Sequence, residues 1–423
     1  AASVAPTPGT TRAATMAATV LLPRILKIGA AASQELPAVL SQLKLSRPLI
    51  VTDAFMLKSG LLAPIEGALK KSGFSYSIFS GCVPDPTTEV VHAGIDAWKE
   101  SAPVGSSPSD VLASGSRCDC VVGIGGGSPM DTAKAIAVAT DCVSDLSTLK
   151  VPATPPIGLP IIAIPTTAGT GSEVTRVSVV IDSKSSEKML WMGMGLMPSA
   201  ALVDFELTMT KPPRLTADTG LDSLCHAMEA YVSRRANPYT DGHAMEAMRT
   251  IPRYLVRAYK DGTDREARER LMLAATQAGI AFSNASVTLI HGMSRPIGAH
   301  FHVPHGLSNA MLLPKVTAFS IPGAAPRYAE CARAMGFASA DDSDTRANMK
   351  LVDGLQLLLN ELRVPTLEEF GVDKTRYFDA ISLMADQAIA SGSPANNPVV
   401  PSPEQLHKLY TSLWSAPGAS AIG

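Results

Sequence analysis

Asp222 and His226 stand four residues apart in the run Gly220-Leu221-Asp222-Ser223-Leu224-Cys225-His226-Ala227-Met228-Glu229. On a helix that spacing puts both side chains on one face. Downstream, His291, His300, His302 and His305 gather half of the chain's 8 histidines into one short segment. Neutral imidazoles beside a carboxylate form a donor set that iron and zinc both accept. Any one of these histidines alone reads better as a core or surface residue. Their clustering beside the Asp–His pair points to one divalent cation.

Two loops carry a different chemistry. Val121-Val122-Gly123-Ile124-Gly125-Gly126-Gly127-Ser128-Pro129-Met130-Asp131 reads as a strand, a glycine loop and a helix start, with Ser128 as N-cap and Pro129 as first helical residue. Glycines let the backbone approach a phosphate, and the free N–H groups of the next helix attract its charge. The spacing falls one residue short of the common dinucleotide fingerprint. A second loop, Pro165-Thr166-Thr167-Ala168-Gly169-Thr170-Gly171-Ser172-Glu173, also follows an apolar strand and offers hydroxyls with unhindered amides. Two such loops on neighbouring strand ends can hold a pyrophosphate and a ribose from two sides. Asp53 ends another strand, where a carboxylate can bind a ribose and repel a 2′-phosphate, favouring NAD over NADP. An Asx turn explains Asp53 equally well, because the usual fingerprint places its acid after the glycines.

The elements that must position these residues differ between the two halves. Leu49–Thr52, Ser75–Phe79, Cys120–Ile124, Ile161–Ile164 and Ala201–Val203 are short apolar runs separated by helical stretches. That pattern predicts a parallel sheet covered on both faces. After Lys211-Pro212-Pro213 the spacing is helical throughout, over Thr219–Ser233, Thr240–Tyr259, Asp264–Asn284 and Met349–Leu362. The expected domains are a disordered or leader segment at 1–20, an α/β dinucleotide-binding domain at 21–211 and a helical metal-binding domain at 212–423. A cleft between the last two is the expected site. The Ser-, Pro- and Gly-rich segment Ser101–Ser116 reads as a surface loop without chemistry.

Composition narrows the function classes. A chain of 423 residues with 46% hydrophobic and 17% charged residues is globular and long enough for two cores. A net charge of -2 gives no basic face for nucleic acid. No apolar run approaches the roughly 20 residues that span a bilayer. The six cysteines are scattered, which argues against a disulfide framework and fits a reducing, cytoplasmic setting.

Taken in order, the Gly125-Gly126-Gly127-Ser128-x-x-Asp131 loop, the Pro165–Glu173 loop, the Gly220–Glu229 run, and His291-Gly292-Met293 continuing to Pro304-His305-Gly306 resemble the iron-containing (group III) alcohol dehydrogenase family. The resemblance covers Leu22 to Trp414. It implies an α/β N-terminal dinucleotide-binding domain with a parallel sheet, followed by an all-α C-terminal domain, the dehydroquinate synthase-like/iron alcohol dehydrogenase fold. It implies metal ligands at Asp222, His226, His291 and His305, with iron(II) as the metal and zinc as the other candidate. Its cofactor positions fall on Asp53, Gly125, Gly126, Gly127, Ser128, Asp131, Thr166, Thr167, Thr170 and Lys188. The implied activity is metal-dependent hydride transfer between a primary or secondary alcohol and NAD(H), with an aldehyde or ketone in reverse. A homodimer or larger homo-oligomer acting on a small-molecule alcohol or aldehyde is the implied assembly.

The sequence departs from that family pattern at Arg295, where several members carry a histidine four residues after the third ligand. Arginine stays protonated and cannot serve as a base at neutral pH. It can bind a carboxylate, sulfonate or phosphate on a short anionic substrate, or form a salt bridge at the cleft rim. His302 and Arg295 are thus the candidate catalytic residues, with His300 a further proton-relay candidate. Two alternatives stand beside the dehydrogenase reading. One is an NAD- and metal-dependent lyase of the dehydroquinate synthase type, whose ligand set includes Glu with two histidines. The other is a non-catalytic dinucleotide- or metal-binding protein.

Overall fold

The computed structural model describes residues 17–101, 117–140, 145–185 and 187–414. Most of the expected leader segment and of the Ser101–Ser116 loop, together with Cys142, lies outside them.

The first half is a six-stranded sheet. Its strands are β1 (Ile25–Ile28), β2 (Pro48–Asp53), β3 (Ser77–Cys82), β4 (Cys120–Gly125), β5 (Ile161–Pro165) and β8 (Ala200–Val203). They lie in the order β1-β8-β5-β4-β2-β3, and every pairing is parallel. Successive strand residues face opposite sides. Leu49, Val51 and Val121 pack beneath α4 (Thr88–Lys99) and α5 (Gly127–Ala139). Ile50, Val122 and Ile162 pack beneath α1 (Leu36–Leu43) and α3 (Ala63–Lys71) on the other face. Burial on both faces is why these strands read as unbroken apolar runs. A short helix, α2 (Ala54–Lys58), leaves β2 directly at Asp53.

Three details depart from the sequence reading. β3 begins at Ser77, not Ser75. β1 and an antiparallel hairpin, β6 (Val177–Ile181) with β7 (Lys188–Met192), were not among the expected strands. Helix α5 starts at Gly127 with Gly126 as N-cap, so Ser128 is not the cap. Instead the Ser128 hydroxyl accepts a hydrogen bond from the Asp85 backbone N–H at 3.3 Å. Gly126 has no side chain to cap α5, and the first-turn N–H groups of a helix without such a cap are available to a ligand.

The second half is helical. It comprises α6 (Pro213–Val232), α7 (Pro238–Lys260), α8 (Arg265–Ala285), α9 (Leu289–Phe301), α10 (His305–Ser320), α11 (Ala325–Ala334), α12 (Asp344–Glu361), α13 (Leu367–Phe370), α14 (Lys374–Ala390) and α15 (Pro403–Leu413). Leu221, Leu224, Met228, Ile251, Leu255 and Leu271 sit in one continuous core there. Each fully buried side chain of this size contributes about 1.5–3 kcal/mol. An apolar seam of Val174, Ala201, Val203 and Phe205 against Met272 and Ile280 joins the sheet to α8. The five described cysteines are all free and buried.

Candidate active site

Helix α6 presents Asp222, His226 and Glu229 along one buried stripe at i, i+4 and i+7. Helix α9 contributes His291 from its first turn, and α10 begins on His305. Gly306 lets α10 press against α6, because a Cβ there would stand 2.3 Å from the Asp218 carbonyl oxygen. The donor atoms of Asp222, His226 and His291 all lie within 4.8 Å of one another. Around Asp222 Oδ1, Nε2 of His291 lies at 3.5 Å, Nε2 of His305 at 3.6 Å and Nε2 of His226 at 3.9 Å. His305 is the open side of this ring, with 46% of its side chain accessible.

Neighbouring groups fix each donor. Nδ1 of His291 meets Glu229 Oε2 at 2.5 Å. The other Glu229 oxygen accepts from Thr288 Oγ1 at 2.8 Å and from Ile290 N at 2.6 Å, capping the start of α9. Glu229 therefore sets the tautomer and angle of His291 and leaves Nε2 turned inward. The His226 ring stacks between Phe282, at 4.1 Å and 15°, and His291, at 4.5 Å and 22°.

The donor set fits a divalent cation on its own chemistry. Burial opposes the charge on Asp222, but His226, His305 and His291 hold its carboxyl well below the usual range. Burial likewise opposes the charge on Glu229, and His291 and Thr288 outweigh it, so this carboxyl too stays ionised. Burial pushes His226 down to about 3, keeping its imidazole neutral and its lone pair available. His291 is also opposed by burial, yet Glu229 and Asp222 lift it to about 9. Asp222 is thus met by neutral imidazoles at His226 and His305, and the proton on His291 is the one a bound cation would displace. Asn309, fully buried on α10, aims its amide N–H₂ at the same point, 2.7 Å from Asp222 Oδ1, 3.1 Å from His291 Nε2 and 3.3 Å from His305 Nε2. Among the described residues its Oδ1 has no partner. The carboxylate oxygen of Asp222 and the nitrogens of His305, His226 and, once deprotonated, His291 form a socket for positive charge.

The nucleotide-type loops lie at the carboxyl ends of adjacent strands. β2 ends on Asp53, and Gly125 of β4 is in register with Pro165 of β5. Ligands of open α/β sheets bind in this crevice. Asp53 Oδ1 caps α2 by accepting from Met56 N at 2.8 Å. Thr166 N donates to the Gly125 carbonyl at 2.8 Å, and Gly126 faces Thr167 as Gly127 faces Thr170. Among the described residues Thr167 Oγ1 is buried without a partner, a hydroxyl available to a ligand. Asp131 is differently placed. One of its oxygens accepts from Ser172 Oγ at 2.9 Å and the other from Val179 N at 3.0 Å, so it ties α5 to the second loop. The fully buried Lys134 does the same through Ser172 Oγ, Thr175 Oγ1 and the carbonyls of Thr175 and Val177.

The second loop is also fastened to the metal-side helices. Ser223 Oγ, beside Asp222, donates to the Gly169 carbonyl at 3.0 Å. Gly171, at φ 62°, meets Gly279 of α8 so closely that a Cβ on Gly279 would stand 2.8 Å from the Gly171 Cα.

Arg295 lies one turn beyond His291 and donates to Ser393 Oγ at 3.0 Å. Lys188 Nζ pairs with Asp85 at 3.0 Å, and its charge reaches His305 across the cleft. His302 is the exposed C-cap of α9 at φ 55°, and His300 Nε2 bonds Gln387 Oε1 at 2.8 Å. Among the described residues no contact links His302 or His300 to the donor ring. Sequence reasoning assigned no role to Glu229 or Asn309. Their only signal was spacing: Glu229 follows His226 by three residues, and Asn309 follows His305 by four.

Comparisons with known proteins point to one family and one fold. The family profile described as "Iron-containing alcohol dehydrogenase" matches residues 23–205, and that described as "Fe-containing alcohol dehydrogenase family, C-terminal" matches 216–414. The chain is 34% identical to the NAD-dependent methanol dehydrogenase of Bacillus methanolicus over 92% of its own length and 97% of that protein's. It is 34% identical to the NADPH-dependent butanol dehydrogenase of Clostridium saccharobutylicum, covering 86% of this chain and 91% of that one. Among solved structures, that of 1,3-propanediol oxidoreductase superposes with a TM-score of 0.87 at 30% identity, covering 94% of this chain and 100% of the other.

Proposed function

The chain belongs to the iron-containing alcohol dehydrogenase family, and from that premise we propose that it is a metal-dependent oxidoreductase moving hydride between a primary or secondary alcohol and NAD(H), with the aldehyde or ketone reduced in reverse. One observation carries this reading. A buried carboxylate and three imidazoles converge on one point, directly fastened to a loop that ends a strand of the nucleotide-type crevice. The lyase alternative is not favoured: the ring holds an aspartate with three histidines, and Glu229 serves it from outside by gripping Nδ1 of His291.

We assign Asp222, His226, His291 and His305 as the metal ligands. A divalent cation held there, iron(II) by family and zinc by donor chemistry, supplies Lewis acidity toward a substrate oxygen. Asp222 contributes charge, Glu229 orients His291, and His305 marks the side from which substrate enters. Bound NAD supplies the hydride acceptor. For its placement we assign Asp53 to the ribose, the backbone of Gly125–Ser128 with Thr166, Thr167 and Thr170 to the phosphates, and Lys188 to the face of the cleft opposite α9. Asp131 acts as a positioning residue between the two loops. Relatives named for NAD and for NADPH both resemble this chain, so its own Asp53 decides, and its charge favours NAD.

We also read the protein as a cytoplasmic homodimer or larger assembly, acting on small molecules and not on nucleic acid or membranes. Its net charge is -2, and among the described residues no single helix is long and apolar enough to cross a membrane. Leu26 and Ile28 stand exposed on the edge strand β1, a place where a second copy would cover apolar surface.

An initial-rate panel of alcohols with NAD, run before and after chelation, tests the reading. Alcohol-dependent NADH formation should vanish on chelation and return with iron(II) or zinc. Tight NAD binding with no turnover of any alcohol would overturn it.

A further inference from the structure

Building on the dehydrogenase reading, we propose that Arg295 and Ser393 form an anion subsite beside the donor ring, so that the preferred substrate is a short hydroxy-anion: an alcohol carrying a carboxylate, sulfonate or phosphate.

Placement comes first. Arg295 follows His291 by four residues within α9, so the two side chains leave the same face one turn apart. A helical turn of about 5.4 Å is the reach of a chain of roughly two to four carbons. A substrate oxygen at the donor ring therefore puts the far end of a short chain at the guanidinium.

Charge comes second. Among the described residues the only hydrogen bond of Arg295 is to a neutral hydroxyl, Ser393 Oγ at 3.0 Å, and no carboxylate lies within ion-pair distance. A guanidinium carries five N–H donors in a planar fork. The nearest acid that influences it, Glu229, has both oxygens engaged by Thr288, Ile290 and His291. Arg295 is half-buried, and burial pulls its pKa down while the charge of Glu229, too far for an ion pair, acts in the other direction. Its field and that of Lys188 both reach His305, the open side of the ring. Lys188 is already paired with Asp85, so Arg295, with no ion-paired acid among the described residues, is the cation at this mouth left to select an anion.

Geometry comes third. Ser393 is buried, and its oxygen is already used as an acceptor by Arg295. Among the described residues its own O–H has no acceptor and can donate to the same oxyanion that takes the guanidinium fork. Carboxylate, sulfonate and phosphate all present the oxygen pair that such a fork accepts.

The test uses the full chain reconstituted with metal and compares matched substrates: 1-butanol with 4-hydroxybutyrate, and 1-propanol with 2-hydroxyethanesulfonate and with 2-hydroxyethyl phosphate. At least one anion should exceed its neutral partner in kcat/KM by about 10-fold or more, the gain lying in KM. Arg295→Gln should shrink that preference by about 10- to 100-fold, the range expected for hydrogen bonds to a charged group. Arg295→Lys should restore part of it, as a point charge without the fork. If the Gln variant does not fold, butyrate inhibition of the wild type decides: it should compete with 1-butanol, and no competition contradicts the subsite. Turnover of neutral alcohols with no anionic preference, or a preference unmoved in R295Q, overturns this inference alone. Absence of NADH from every alcohol overturns the dehydrogenase reading instead.

Discussion

Glu229 on α6 grips Nδ1 of His291 on α9 with one oxygen and caps the first turn of α9 with the other. One buried carboxylate thus sets both the start of a helix and the direction of an imidazole in the donor ring. Glu229→Gln keeps the size and part of the capping but loses the charge that orients the imidazole. Metal affinity should fall about 10- to 100-fold, read by competition with a chromogenic chelator. Unchanged affinity would show that His291 is held by packing alone.

The contact between Gly171 and Gly279 makes a second prediction. A methyl on Gly279 would press on the Gly171 Cα at 2.8 Å and on Val174 Cγ2 at 2.8 Å. Overpacking of this kind costs about 1–3 kcal/mol. Gly279→Ala should lower the Tm and raise the KM for NAD, because the displaced loop carries Thr167 and Thr170. A variant with normal Tm and KM would mean the loop can shift without consequence.

Asp53 has two duties that one substitution can separate. Its Oδ1 caps α2, and asparagine can do the same. Asp53→Asn should therefore keep stability while removing the charge that repels a 2′-phosphate. The kcat/KM ratio of NADP to NAD should rise. An unmoved ratio removes Asp53 from the ribose site and leaves it a cap.

Lys134 gives the pH dependence. Burial lowers its pKa to about 8, although Asp131 and Glu173 act to raise it. Unfolded, a lysine titrates near 10.4. Between these values the unfolded chain holds a proton that the folded chain has released, so this group makes stability rise with pH across that window. Below about pH 8 both states are protonated and the folded form bears the full cost of the buried charge. Lys134→Met should flatten the rise above pH 8 in denaturant titrations. It should also destabilise by roughly 3 kcal/mol at pH 7, since Asp131 and Glu173 lose their cation. A rise that survives the substitution would belong to other groups.

The buried donor ring was legible because its chemistry lies in residue type and spacing: Asp222 and His226 share a helix face, and the histidines that meet them cluster in one short segment. The strands β2, β4 and β5 were legible because burial on both faces leaves only apolar residues in them. β1 and the β6–β7 hairpin were not, since these strands are short and covered on one face only: Lys27 breaks the apolar run of β1, and β6 and β7 alternate buried with half-buried residues. Ser128 is a good cap by propensity, yet the tight exit of β4 begins α5 one residue after Gly126 and turns the Ser128 hydroxyl to Asp85. Glu229 and Asn309 acquire roles only when α6, α9 and α10 pack together, and no local pattern encodes that meeting. Arg295 was visible as a residue type out of pattern, and its lack of an acidic partner became visible only in three dimensions.

Direct hydride transfer is the central claim, and isotopic transfer tests it most closely. Metal-loaded protein given NAD and an alcohol deuterated at its hydroxyl-bearing carbon should yield reduced cofactor carrying one deuterium by mass spectrometry, and chelated protein should yield none. Reduced cofactor without deuterium, or equal yields with and without metal, would contradict the account.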